Sequence, residues 1–346
     1  MAKKNDKPRP TNPTMHDVAR LAGVSQSTVS RVLSPSTSQV PISEETRQKI
    51  LNAVQELGYQ PNMTARSLRT QRSQMIAIMI GDISNAFYHP IVRAIQDVAR
   101  ARDYDVLISN SDHVYENERR FLDAVLRRPV DGIVMAPHRL STEELDQFII
   151  RSHIPVIALG AQVEHTLMDV VGGTSEPATY EAVTWLIQEK GHRRIGFIST
   201  TDDMPPGPAR CNGYQRAMVE ADLPIEPGFI LKHAFTLEGG RHAMREYLAQ
   251  PNPPTAIFGA NALMAIGAIS EAQTLGFRVP QDFAIMGFDD IPEATIIHPH
   301  LTTVVRNLPE IGVQLAEILF ERIDGEVSGP GRFFQSKWVL VERESV

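Results

Sequence analysis

Thr14-Met15-His16-Asp17-Val18-Ala19-Arg20-Leu21-Ala22-Gly23-Val24-Ser25-Gln26-Ser27-Thr28-Val29-Ser30-Arg31-Val32-Leu33 reads as two short helices joined by a tight turn. Thr14 and Asp17 have the spacing of a capping box, Val18, Leu21 and Ala22 share one face, and Gly23 ends the first helix. Ser25 caps the second helix, whose buried side is Val29, Val32 and Leu33. Two short helices crossing steeply over a glycine turn make a helix-turn-helix. A longer helix follows from Ser43-Glu44-Glu45, with Ile50, Val54 and Leu57 as its stripe before Gly58. Such a motif places the start of its second helix in the DNA major groove. Gln26, Ser27 and Arg31 point away from the apolar face and are the base-reading candidates: Arg31 suits guanine, Gln26 adenine or a phosphate. Thr14, Ser25, Thr28 and Ser30 suit caps or phosphate contacts. A solvated polar face is the plainer reading of the same residues.

Charge separates this head from the rest. The 346 residues carry a net charge of -7, yet up to Arg72 there are 11 Lys and Arg against 5 Asp and Glu. A basic head on an acidic body fits a head that meets a polyanion. The single cysteine, Cys211, excludes a disulfide framework and cysteine-based zinc modules. No apolar run reaches the 18 or so residues of a membrane span. Residues 1–13 are basic and proline-bearing without an apolar stretch, so they are expected as a disordered tail rather than a secretory signal, and the protein as cytoplasmic.

The segment leaving the head, Tyr59-Gln60-Pro61-Asn62-Met63-Thr64-Ala65-Arg66-Ser67-Leu68-Arg69, has Asn62 as N-cap of a two-turn helix too short to be stable alone. Asp17-Val18-Ala19-Arg20, Thr28-Val29-Ser30-Arg31-Val32-Leu33, Leu57-Gly58-Tyr59-Gln60-Pro61-Asn62 and Ala65-Arg66-Ser67-Leu68 together resemble the LacI/GalR family of bacterial transcription repressors. The resemblance implies that the last segment is a hinge helix that folds on operator DNA. Paired across a dimer, it would wedge Leu68 into the central minor-groove step, with Ala65 permitting close approach and Arg66 and Arg69 on the flanks.

After Arg72 short apolar runs alternate with amphipathic stretches. Residues 75–80, 105–109, 132–135 and 155–159 read as buried strands, and 88–102, 115–128 and 141–152 as helices. The alternation restarts near Asp169 and continues through 194–199, 255–258 and 283–287. This predicts a small all-α head plus an α/β two-lobed body with mainly parallel sheets, which the resemblance identifies as periplasmic-binding-protein-like. Ligands of such folds bind at the carboxyl ends of the strands. Phe87 and Tyr88 after the first strand, Asn261 and Asp289 at strand ends, and less directly Asn110 and His113 are therefore effector-binding candidates, and the resemblance adds Arg210. Phe87, Tyr88, Arg210, Asn261 and Asp289 match ligand-binding positions of the family. Core packing of Phe87 or Tyr88 and a structural ion pair at Arg210 are the plainer readings.

The chain departs from the family pattern at Thr174-Ser175, where relatives have Asp-Asn, and at Ala262, where they tend to have Asp. Both changes remove carboxylates, which favours a sugar acid or sugar phosphate while leaving neutral sugars and nucleosides open. His298-Pro299-His300 is the densest group among 11 histidines, but no third ligand stands nearby in the sequence, so no metal site is expected. No Walker loop, dinucleotide fingerprint or nucleophile elbow occurs, so neither a cofactor nor an enzyme is expected. The divisions are a tail at 1–13, the helix-turn-helix at 14–60, hinge and linker at 61–73, and effector and dimerisation domain at 74–346. The resemblance implies a homodimer on double-stranded operator DNA, most simply a repressor released by its effector. A purine-type corepressor and a transporter's solute-binding protein are the competing readings.

Overall fold

The hydroxyl of Thr14 accepts the Asp17 N–H at 3.3 Å and the Asp17 carboxylate accepts the Thr14 N–H at 3.0 Å, closing the box that starts α1 (Met15–Ala22). Gly23, at φ 67°, ends that helix in the left-handed conformation that glycine adopts without steric penalty. Then come α2 (Gln26–Leu33), and α3 (Glu44–Leu57) capped by the Ser43 hydroxyl. This computed structural model describes residues 13–33, 42–60, 72–160, 167–173, 175–201 and 205–346. The tail before residue 13, the hinge positions Asn62, Ala65, Arg66, Leu68 and Arg69, and Thr174 lie outside the described residues. Residues 1–73 and 74–346 form two compact units.

The core of the first unit is Val18, Ala19, Val29, Ile50, Ala53 and Tyr59, with Val32, Leu33, Val54 and Leu57 packed at its edge. Leu21 does not join it. It is 46% exposed, because α1 turns the Val18–Ala19–Ala22 side inward instead.

The second unit opens with β1 (Met75–Ile80), α4 (Tyr88–Ala101), β2 (Asp105–Asn110), α5 (Tyr115–Arg127), β3 (Gly132–Met135), α6 (Thr142–Ser152), β4 (Val156–Leu159) and β5 (Asp169–Gly172). It continues through α7 (Ser175–Gln188), β6 (Ile195–Thr200), α8 (Gly207–Glu220), β7 (Ile230–His233), α9 (Leu237–Leu248), β8 (Ala256–Gly259), α10 (Ala262–Thr274), β9 (Ala284–Phe288) and β10 (Thr302–Val305). Last come α11 (Leu308–Ile323), β11 (Phe333–Gln335) and β12 (Val339–Val341). Two six-stranded sheets result, ordered β11-β5-β4-β3-β1-β2 and β12-β10-β9-β8-β6-β7. The first is parallel throughout. In the second only β12 runs antiparallel, against β10.

Strand β1 shows why its run is apolar at every position. Ile76, Ile78 and Ile80 pack against α4 and α11, while Ala77 and Met79 face the layer of α5 and α6. A strand covered on both faces has no polar side. The sequence-based restart of the second half at Asp169 is corrected here: Asp169–Gly172 is the fifth strand of the first sheet, and the second lobe starts with α7. The chain therefore crosses between lobes from β5 to α7, from β10 to α11, and from β11 to β12. Buried Asp169 fastens the returning chain, accepting from Arg322 Nη2 at 2.7 Å and from Arg332 Nη2 at 2.9 Å. Burial works to raise its pKa, but these guanidinium bonds outweigh it and hold the carboxyl below its ordinary value. No helix among the described residues is long and apolar enough to cross a membrane.

Candidate effector cleft and nucleic-acid interface

In the head, Val29 is buried while Ser25, Gln26 and Ser27 are exposed at the start of α2. The Ser25 hydroxyl accepts the Thr28 N–H at 3.2 Å and lies 2.8 Å from the hydroxyls of both Ser27 and Thr28. Arg31 is half-buried, its Nε donating to the Ser27 carbonyl at 3.4 Å. That leaves the guanidinium one turn along the face that begins with Gln26 and Ser27, while Thr14 is exposed at the start of α1.

The second unit holds a cleft of about 530 Å³ bordered by the carboxyl ends of strands from both lobes. Its floor is a three-residue ion cluster. Asp289, in the left-handed region at φ 70°, turns its carboxylate onto Arg306, with Nη2 at 2.6 Å and Nε at 2.7 Å, and onto Arg210 Nη2 at 3.4 Å. Arg210 is 2% exposed, donates through Nη1 to the Ala260 carbonyl and lies 3.6 Å above the Phe288 ring. Its Nε is buried without a hydrogen-bond partner. Burial pushes the guanidinium pKa down to about 9, with the charge of Asp289 opposing that shift. Two buried guanidiniums thus share one carboxylate, and the floor carries one surplus positive charge.

The first-lobe wall is built differently. Glu118, fully buried on α5, accepts the backbone N–H groups of His138, Arg139 and Leu140 at 2.9, 3.2 and 2.9 Å, fixing the loop after β3. This sets the His138 ring edge-on to His113, 4.4 Å between centroids, and both Nδ1 atoms are buried without a hydrogen-bond partner, that of His138 lying 4.0 Å from the Glu118 carboxylate. Burial, followed by the neighbouring His113, pushes His138 down to about 3, and burial also lowers His113. Both rings are therefore neutral at physiological pH.

Phe87, Tyr88, Arg210, Asn261, Asp289 and His113 all border this one cleft. Tyr88 is 5% exposed and packs in the first-lobe core, and burial pushes its phenol up to about 12. Phe87 is half-buried, with Arg306 5.2 Å from its ring centre. The Asn261 side-chain oxygen caps α10 by accepting the Met264 N–H at 2.8 Å, and its amide donates to the Phe235 carbonyl at 3.5 Å. Asn110 is not among the bordering residues. Its oxygen accepts the Ile83 N–H at 2.8 Å and its amide donates to Asp112, so it shapes the neighbouring loop instead. Arg306, Phe288 and His138 were not singled out from the sequence, yet Arg306 immediately follows β10 and obeys the same strand-end rule. One premise behind the metal expectation changes: Glu344, distant in the sequence, stands beside His298 and His300 as a third possible ligand.

Residues 14–62 match the model of bacterial regulatory proteins of the lacI family, and residues 186–346 match the periplasmic binding protein-like domain. Catabolite control protein A of Priestia megaterium is 36% identical over 317 residues, 91% of this chain and 94% of that protein. The chain belongs to the lacI family. The transcriptional repressor CytR of Escherichia coli strain K12 is 33% identical over 329 residues, 94% of each chain. Among solved structures, the cellobiose complex of the regulator CelR has a TM-score of 0.72 at 30% identity, covering 96% of this chain and 100% of that one. The lac repressor dimer bound to operator and the anti-inducer ONPF shares the fold, with a TM-score of 0.84 at 23% identity and coverage of 97% and 99%. This lacI-family member is a ligand-responsive, DNA-binding transcriptional repressor, and its relatives are regulators rather than enzymes.

Proposed function

We propose that this regulator represses genes for the breakdown of a carbohydrate or sugar acid and leaves its operator when that effector occupies the cleft. The observation that carries the reading is the surplus positive charge at the cleft floor, where Arg210 and Arg306 share Asp289. A buried cation with too little compensation is stabilised by an anionic ligand group. The half-buried Phe87 ring beside it suits the apolar face of a sugar ring. A sugar acid or sugar phosphate satisfies both features. That CelR was solved with cellobiose supports a carbohydrate effector.

In this reading the protein works as a homodimer, each head on half of a near-palindromic operator. Gln26, Ser27 and Arg31 read bases, and Thr14, Ser25, Thr28 and Ser30 hold phosphates. Asn62, Ala65, Arg66, Leu68 and Arg69 form the hinge. Replacing Leu68 by Ala is expected to weaken operator binding while ligand affinity of the isolated body stays unchanged. The effector shifts the lobes because it binds the two states unequally, and the coupling acts in both directions.

The experiment is a thermal-shift screen of sugars, sugar acids, sugar phosphates and purines, each hit then assayed for operator release. A sugar-acid or phosphate hit that loosens DNA supports the proposal. A purine that tightens DNA replaces it with a corepressor mechanism.

A further inference from the structure

Two histidines separated by one proline are a poor metal site on their own, and it is the fold that completes them. Beyond β12 the chain returns along the turn preceding β10, and Glu344 Oε2 accepts the His300 N–H at 3.0 Å. The backbone there is held independently of the imidazoles. Ser345 donates its N–H to the His300 carbonyl at 3.1 Å, while its hydroxyl accepts from Thr302 N at 2.8 Å and donates to the Ile285 carbonyl at 2.6 Å. Around this fixed carboxylate stand His300 Nδ1, 3.6 Å from Oε1, and His298 Nδ1, 3.9 Å from Oε2. The rings lie 4.8 Å apart, tilted by 31°, and one donor atom from each of the three residues lies within 4.8 Å of the others.

These nitrogen–oxygen distances exceed those of well-made hydrogen bonds, about 2.7–3.2 Å. They approach the separation of two donors on one ion: bonds of about 2.0–2.2 Å meeting at a tetrahedral angle place the donors about 3.4 Å apart. The His298 side chain is 79% exposed, so a rotation of its imidazole suffices to close the difference. Two imidazole nitrogens and one carboxylate oxygen suit zinc, cobalt, nickel or copper, and not magnesium or calcium, which take oxygen ligands.

We propose that His298, His300 and Glu344 bind a divalent transition-metal ion of the zinc type, which clasps the Glu344–Ser345 segment to the turn before β10. Three protein ligands leave a coordination position to water, so the ion is exchangeable. The site lies at the amino end of β10, whereas Arg306 follows its carboxyl end at the cleft floor. The ion therefore stabilises the second lobe by mass action without touching the effector.

The test uses the tag-free full chain, stripped with a chelator and titrated calorimetrically with zinc chloride, with cobalt absorption as a second readout. One ion per chain should bind and raise the Tm. His298→Ala and His300→Ala should each weaken binding at least about tenfold, the lower end of the loss seen even for outer-shell partners. His242→Ala, an exposed imidazole beside Glu238, should leave binding unchanged. His298→Ala is the decisive variant, because its contact with Gln273 is through the backbone carbonyl and survives the substitution. Zinc that fails to saturate the parent below about millimolar concentration, or that binds both histidine variants as tightly as the parent, overturns the site.

Discussion

Arg31 shows how much one residue carries. Its Nε is anchored to the Ser27 carbonyl of the previous turn, so the guanidinium reaches forward from a defined point rather than sweeping free. Arg31→Ala is expected to remove base preference at one position per half-site, by about 1–3 kcal/mol. Binding to variant operators measures this, and equal weakening on every sequence would make Arg31 a phosphate contact instead. At the cleft floor, Arg306→Gln removes one of the two cations and leaves Asp289 to Arg210 alone. A charge-assisted hydrogen bond contributes about 1.5–3 kcal/mol, so affinity for an anionic effector should drop about tenfold or more while a neutral sugar is affected far less. Calorimetry with both ligand types decides it. An anionic ligand bound equally by parent and variant would contradict the role of the floor.

Among elements, α11 and β11 are tied to the first lobe by a charge cluster as well as by core packing and strand pairing. Both come back to the first lobe after the second is built, and Asp169 on β5 receives Arg322 from α11 and Arg332 from the start of β11. Removing one partner of a buried pair leaves an uncompensated charge, so Asp169→Asn should destabilise the protein by about 3–5 kcal/mol. Urea unfolding of parent and variant at neutral pH reads this directly, and a loss under about 1 kcal/mol would show the cluster to be solvent-screened. The Asp169 pKa is depressed in the folded state, so its contribution is present above the ordinary carboxylate range and lost as the pH falls through the folded value.

For the whole molecule, acid sensitivity should begin earlier than the carboxylates dictate. Burial holds His138 down to about 3, whereas the unfolded chain takes up that proton near the ordinary value of about 6.5. Stability should therefore fall as the pH drops below about 6.5, by about 1.4 kcal/mol per unit and about 2 kcal/mol by pH 5. His138→Asn should flatten that part of the profile. Denaturant unfolding at pH 7.5 and pH 5.0 tests it, and identical slopes in parent and variant would show that His138 is protonated in the native state.

What the sequence by itself determined is local or periodic. The capping box at Thr14, the glycine ends of α1 and α3, and the strands from Met75 to Leu159 follow from spacings of a few residues, which the backbone reads as caps and faces. The rule that ligands meet strand ends pointed to Phe87, Tyr88, Asn261 and Asp289, while Arg210, inside α8, came from the family resemblance; all five border one cleft. Only the tertiary structure decided the rest. It turned Leu21 outward, gave Asp169–Gly172 to the first sheet, withdrew Asn110 from the cleft, and brought Arg306 to Asp289 and Glu344 to His300. The physical reason is chain separation. Asp169 and Arg332 are 163 residues apart, and no periodicity encodes which distant charges a crossover between lobes will bring together.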